Sequence, residues 1–123
     1  MTTGIVITTE GKQEDFVGPL ELPRIYVALD VNSTEVVAVS EGISVHVDGE
    51  GVINNTALNK VGTLVFSALA FFEADIHGNI LFTGGKDEAG NYKQLDPEQR
   101  GLVLSMAKQA WNIVAELEPD EEE

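Results

Sequence analysis

Apolar residues recur along this chain with two spacings, strict alternation and a return every three to four positions, and the changes between them outline its elements. Gly4-Ile5-Val6-Ile7-Thr8-Thr9 is rich in β-branched residues and predicts a first strand. Gly11 to Gly18 is polar and turn-like, with Phe16 and Val17 as anchors, and Pro19 and Pro23 punctuate an extended connection. From Arg24 to Val31, Ile25, Val27 and Leu29 alternate with Tyr26, Ala28 and Asp30. That period predicts a half-buried strand, a turn at Asn32-Ser33 and a return strand from Glu35 to Ser40, together a hairpin. Gly42 reverses the chain before Ile43 to Val47, where apolar residues alternate with Ser44, His46 and Asp48.

Helical spacing takes over after the turn Asp48-Gly49-Glu50-Gly51. Asn55 or Thr56 can cap a helix whose apolar positions are Leu58, Val61, Leu64, Val65, Leu69 and Phe72. From Leu64 onward it is apolar on nearly every side, as expected of a helix buried against a sheet and a second subunit. Asp75 to Gly78 ends it, Asn79 to Thr83 reads as a strand, and Tyr92 to Leu95 reads as that strand's hairpin partner. Asp96-Pro97-Glu98-Gln99 is the strongest helix start: Asp96 can cap, Pro97 suits the first helical position, and Gln99 can close a capping box. Leu102, Val103, Met106, Ala110, Ile113, Val114 and Leu117 then form an apolar stripe, with Leu104, Ala107 and Trp111 as a second. The fold expected is α+β, an antiparallel sheet of about five to seven strands with two helices, about 56–73 and 97–117. Residues 1–118 read as a single domain and 119–123 as an acidic disordered tail.

The chain has 123 residues, 43% of them apolar, which suits one core. It has no cysteine, which excludes disulfides, thiolate zinc sites and a thiol nucleophile. No apolar run is long enough to span a bilayer and the N-terminus lacks a signal-peptide pattern, so a cytoplasmic protein is expected, in a host cytoplasm if viral. Its 21 acidic and 7 basic residues give a net charge of −14. Such a surface repels phosphate backbones and anionic lipids, so neither direct nucleic-acid nor membrane binding is expected, whereas a basic host protein suits it. Excess apolar helix surface predicts a homo-oligomer, a dimer or higher.

No nucleophile elbow, phosphate-binding P-loop or dinucleotide fingerprint occurs, and His46 and His77 stand far apart without a metal-ligand spacing. No enzyme activity, cofactor or metal is expected. Two groups of residues carry candidate binding chemistry. Phe82, Asn91 and Tyr92 flank a turn, where an aromatic and an amide could stack on and hydrogen-bond a planar ligand. Asn55, Asn59 and Thr63 lie near a helix start, where free N–H groups favour an anion. Arg100, one of two arginines, can meet an anionic group.

The segment from His46 to Asp96 resembles an uncharacterised protein family common in phages, prophages and plasmids. The features that carry the resemblance are the acidic-glycine turn ending at Gly51, Asn59 at the family's spacing from it, and Gly62-Thr63 in place of an Ala-Thr pair. Asp75, Gly78, the strand Ile80-Leu81-Phe82-Thr83 closed by Gly84, and the turn Asp87-Glu88-Ala89-Gly90 follow in the family's order. The resemblance implies a viral or mobile-element accessory protein. Together with the residue reading it gives a non-enzymatic binding protein that counters a host defence, by sequestering a nucleotide-derived small molecule or by blocking a host protein. A structural or replication accessory of a virus, and a small enzyme, are the alternatives.

Overall fold

A computed structural model describes residues 2–50 and 56–117. The acidic segment 119–123 and Asn55 therefore lie outside the described residues. Five strands, β1 (Thr2–Ile7), β2 (Gln13–Val17), β3 (Thr34–Ala38), β4 (Ile43–Asp48) and β5 (Ile80–Gly84), form one sheet in the order β2-β1-β5-β4-β3. Every pairing is antiparallel. Helix α1 (Leu22–Leu29) lies on one face, and α2 (Lys60–Ala70) and α3 (Pro97–Leu117) on the other. The fold is thus α+β, with five strands and three α-helices among the described residues.

Alternation along the strands feeds two cores. Ile5, Ile7, Ile43, Val45, Ile80 and Phe82 meet Val61, Val65, Phe66 and Leu69 of α2 and Val103, Ala107 and Ala110 of α3. Val6 and Leu81 point the other way and meet Phe16, Ile25 and Leu29. Because β4 and β5 are covered on both sides, Ile43 to Val47 and the whole of β5 are buried.

The segment read as a strand from Arg24 to Val31 is instead a helix. Ile25 and Leu29 satisfy both the alternating and the helical template, and Val27 separates them: it would share their face in a strand, yet it is 81% exposed. Pro23 sits in the first turn, where its missing N–H costs nothing, and Asp30 closes the helix in the left-handed conformation. The expected hairpin changes accordingly, because β3 pairs with β4. The polar stretch read as a turn contains β2, which pairs with β1.

The helix expected at 56–73 begins only at Lys60. Leu58 bridges to His77 and Asn59 is the cap, so Thr56 to Leu58 lie outside the helix. Gly62 belongs to close packing, since a Cβ there would overlap the side chains of Ile80 and Asn59. Helix α3 has the expected bounds, and the capping box forms: Asp96 Oδ1 accepts from the Gln99 N–H at 2.7 Å and Gln99 Oε1 from the Asp96 N–H at 2.9 Å. Its buried stripe is Val103, Ala107 and Ala110; Ile113 and Leu117, expected in the core, are exposed. Tyr92 to Leu95 forms no strand, because β5 already has β1 and β4 as neighbours and only an isolated bridge joins Lys86 to Tyr92. Among the described residues no helix is long and apolar enough to cross a membrane.

Candidate functional site

The connection from β5 to α3 folds back over the sheet face that carries α1. Its shape is local. The Asp87 carboxylate accepts from the Ala89 and Asn91 N–H groups, each at 2.9 Å, and the Asp87 N–H donates to the Asn91 carbonyl at 2.8 Å. Gly90 takes the positive φ of 88° that closes this loop. Lys93 then bonds back to Gly84 and Gly85, and the Leu95 N–H reaches the Thr3 carbonyl at 3.0 Å. The loop thereby places Tyr92 edge-on to the His46 ring, centroids 4.6 Å apart at 74°. Lys86 Nζ stands 5.5 Å from the Tyr92 centroid on a cation–π path.

His46, read from sequence as a residue on a polar strand face, is wholly buried. The Thr83 hydroxyl donates to the Gly84 carbonyl at 2.9 Å, so its oxygen is left to accept from His46 Nε2–H, also at 2.9 Å. That bond fixes the tautomer and leaves Nδ1 as a bare acceptor, buried and without a hydrogen-bond partner among the described residues. Desolvation pushes the imidazole pKa from 6.5 down to about 4. The ring is neutral at physiological pH and serves as an apolar wall behind Tyr92.

In front of Tyr92 opens a cleft of about 620 Å³. Lys86, Gly90, Asn91 and Tyr92 form one wall, Tyr26 and the Leu20–Leu22 connection the opposite one, and Thr34 and Val36 of β3 the floor. Two phenols, one amide and one ammonium thus border a space open to solvent. Glu21 is the carboxylate of this lining.

The structure therefore brings together Asn91 and Tyr92 and, among the described residues, separates Asn59, Thr63, Phe82 and Arg100 from them. Phe82 does not flank the turn as an exposed ring; it is fully buried at the centre of the sheet, where β1 and β4 pair with its strand. Asn59 is fully buried with its amide committed: Nδ2 donates to the Ile7 and Gly78 carbonyls at 2.9 and 2.8 Å, and Oδ1 accepts from the Gly62 N–H at 2.8 Å. Thr63 Oγ1 accepts from the Ile76 N–H at 2.9 Å. These two side chains pin α2 to the sheet and to the segment before β5. Arg100 pairs with Asp15 at 3.0 Å, tying α3 to β2. Tyr26, Lys86 and Val36 were not singled out in the sequence. The alternating pattern of its segment hides Tyr26, and Lys86 reads in sequence as one more polar residue of a turn.

Among the described residues, no three His, Asp or Glu side chains cluster so as to hold a metal ion. A five-stranded antiparallel sheet with a helical pair on one face, and a short helix beside a tyrosine-lined cleft on the other, defines the class. The chain belongs to the family described as Domain of unknown function (DUF3846), whose pattern it matches over residues 1–108, well beyond the segment from His46 to Asp96. No curated protein and no solved structure matches it.

Proposed function

We propose that this protein is a non-enzymatic binding protein whose cleft takes up a small planar anion, a nucleoside monophosphate or a cyclic mononucleotide. One arrangement carries the reading: Tyr92, backed by neutral His46, with Lys86 and Asn91 beside it and Tyr26 on the facing wall. Phenol rings give a base a stacking surface, Asn91 has the donors and acceptor to read its edge, and Lys86 offers a charge to a phosphate. The surrounding net charge of −14 disfavours each additional anionic charge, so monophosphates bind ahead of triphosphates. The resemblance of His46 to Asp96 to a phage and plasmid family supports the biological form of the proposal. In that form the protein is an accessory of a mobile element that withdraws a nucleotide-derived signal in the host cytoplasm.

A thermal-shift panel of linear and cyclic nucleotides tests this. A ligand present at a hundred times its dissociation constant stabilises the fold by about 2.7 kcal/mol. The shift should appear with mononucleotides and vanish in Lys86→Glu, a change at an exposed side chain. A panel without any shift removes the reading. The acidic surface supports a second reading, occupation of a basic site on a host protein. Salt-sensitive co-purification of a basic protein, with no nucleotide shift, favours it.

A further inference from the structure

The two edges of the sheet are built differently. Edge strand β2 exposes Glu14 and Asp15, and near its end the Arg24 guanidinium donates to the Val17 carbonyl at 2.6 Å. Charges and a capped carbonyl of this kind protect an edge from pairing with another chain. Edge strand β3, Thr34-Glu35-Val36-Val37-Ala38, has no proline and no lysine, and its only charge is Glu35.

The register shows which backbone groups of β3 are open. The Val39 N–H donates to the Ile43 carbonyl at 2.9 Å and the Gly49 N–H to the Ser33 carbonyl at 3.2 Å. In an antiparallel ladder bonding residues alternate, so Glu35 and Val37 bond β4 while Thr34, Val36 and Ala38 turn their N–H and C=O groups outward. Among the described residues nothing meets those outward groups.

We propose that this edge pairs with the same edge of a second copy, antiparallel about a two-fold axis at Val36. The strand is self-complementary in that register. Val36 faces Val36 of the second copy, and Thr34 faces Ala38, so the outward groups satisfy one another and no charge opposes a like charge directly. Glu35 faces Val37, which leaves the two Glu35 carboxylates diagonal neighbours. Their repulsion, and that of two chains each carrying −14, makes the dimer tighter as salt rises. Because the axis runs normal to the sheet, both copies present the same face to the same side. The two clefts then lie side by side over one continuous floor, with Val36 of each copy at the junction. Dimer formation does not depend on what the clefts hold.

Sedimentation equilibrium of the full chain, with hydrogen exchange on the same sample, tests the pairing. The expected mass is twice the 13.2 kDa chain mass, falling to the chain mass on dilution, with slow exchange at the Thr34, Val36 and Ala38 amides in the dimer. Val36→Lys sets two ammonium groups against each other and should raise the dimer dissociation constant about tenfold or more. Val36→Pro removes an outward donor and should do the same. If either variant fails to fold, exchange in the parent decides alone. A monomer at all concentrations, fast exchange at those amides, or a dimer that folded Val36→Lys leaves intact would overturn the proposal.

Discussion

Asn59 and His46 are buried polar residues resolved in opposite ways. Asn59 has both amide hydrogens and its oxygen bonded to backbone, so truncation leaves two carbonyls and one N–H unmatched in the interior. Asn59→Ala should cost about 3 kcal/mol, measured by urea unfolding, whereas Asn91→Ala on the exposed loop should cost under about 0.5 kcal/mol. His46 keeps one nitrogen without a partner among the described residues and stays neutral at physiological pH. Its pKa is about 4 folded against 6.5 in a free chain, so between those values the unfolded state binds a proton that the native state refuses. Stability is therefore fullest above pH 6.5 and declines as pH falls towards 4, by up to about 3 kcal/mol from this residue. Unfolding free energies at pH 7 and 5 should differ clearly in the parent and less in His46→Asn. An equal difference in the two would assign the pH dependence to other groups. The sequence marked Asn59 as notable but not what it does, since its acceptor partners Ile7 and Gly78 lie far from it along the chain.

Elements were legible where their determinants are local. The Asp96–Gln99 capping box is a short-range device, and α3 starts where it directs. Helix α1 was not legible because Ile25 and Leu29 fit two periods at once, and the choice is made by Phe16 and Leu81 packing against that pair. The stripe on α3 was partly legible: Val103 and Ala110 are buried, but the buried line passes through Ala107 rather than Ile113. Val103→Asp should destabilise by several kcal/mol, about 3 or more, while Ile113→Asp stays within about 1 kcal/mol. Comparable losses from both would mean that α3 is rotated from this packing. Helix α2 ends on Phe71, left-handed at φ 64° and 83% exposed. A bulky residue is strained there and recovers little by burial. Phe71→Gly should raise stability by about 1 kcal/mol, visible as a higher Tm. An unchanged or lower Tm would contradict the strain.

At the scale of the molecule, one sheet face is committed to the helical pair and the other is shared between α1 and the cleft. The cleft could not be read in sequence because its walls come from three distant segments: the start of α1, β3 and the loop after β5. Only Asn91 and Tyr92, adjacent in the chain, are legible as a pair in the sequence. Composition did bear on what the cleft can hold, since a net charge of −14 penalises highly charged ligands and leaves Lys86 as the cation of the lining. Recognition of a planar anion by this cleft is the function proposed for it. It is tested most directly by titrating adenosine monophosphate into nitrogen-15-labelled protein and following the backbone amide resonances. Saturable shifts are expected at Tyr26, Lys86, Asn91 and Tyr92, and they should disappear in Lys86→Glu. Resonances that stay still, or that move instead around Trp111 and Gly11 at the far end of α3, would contradict it.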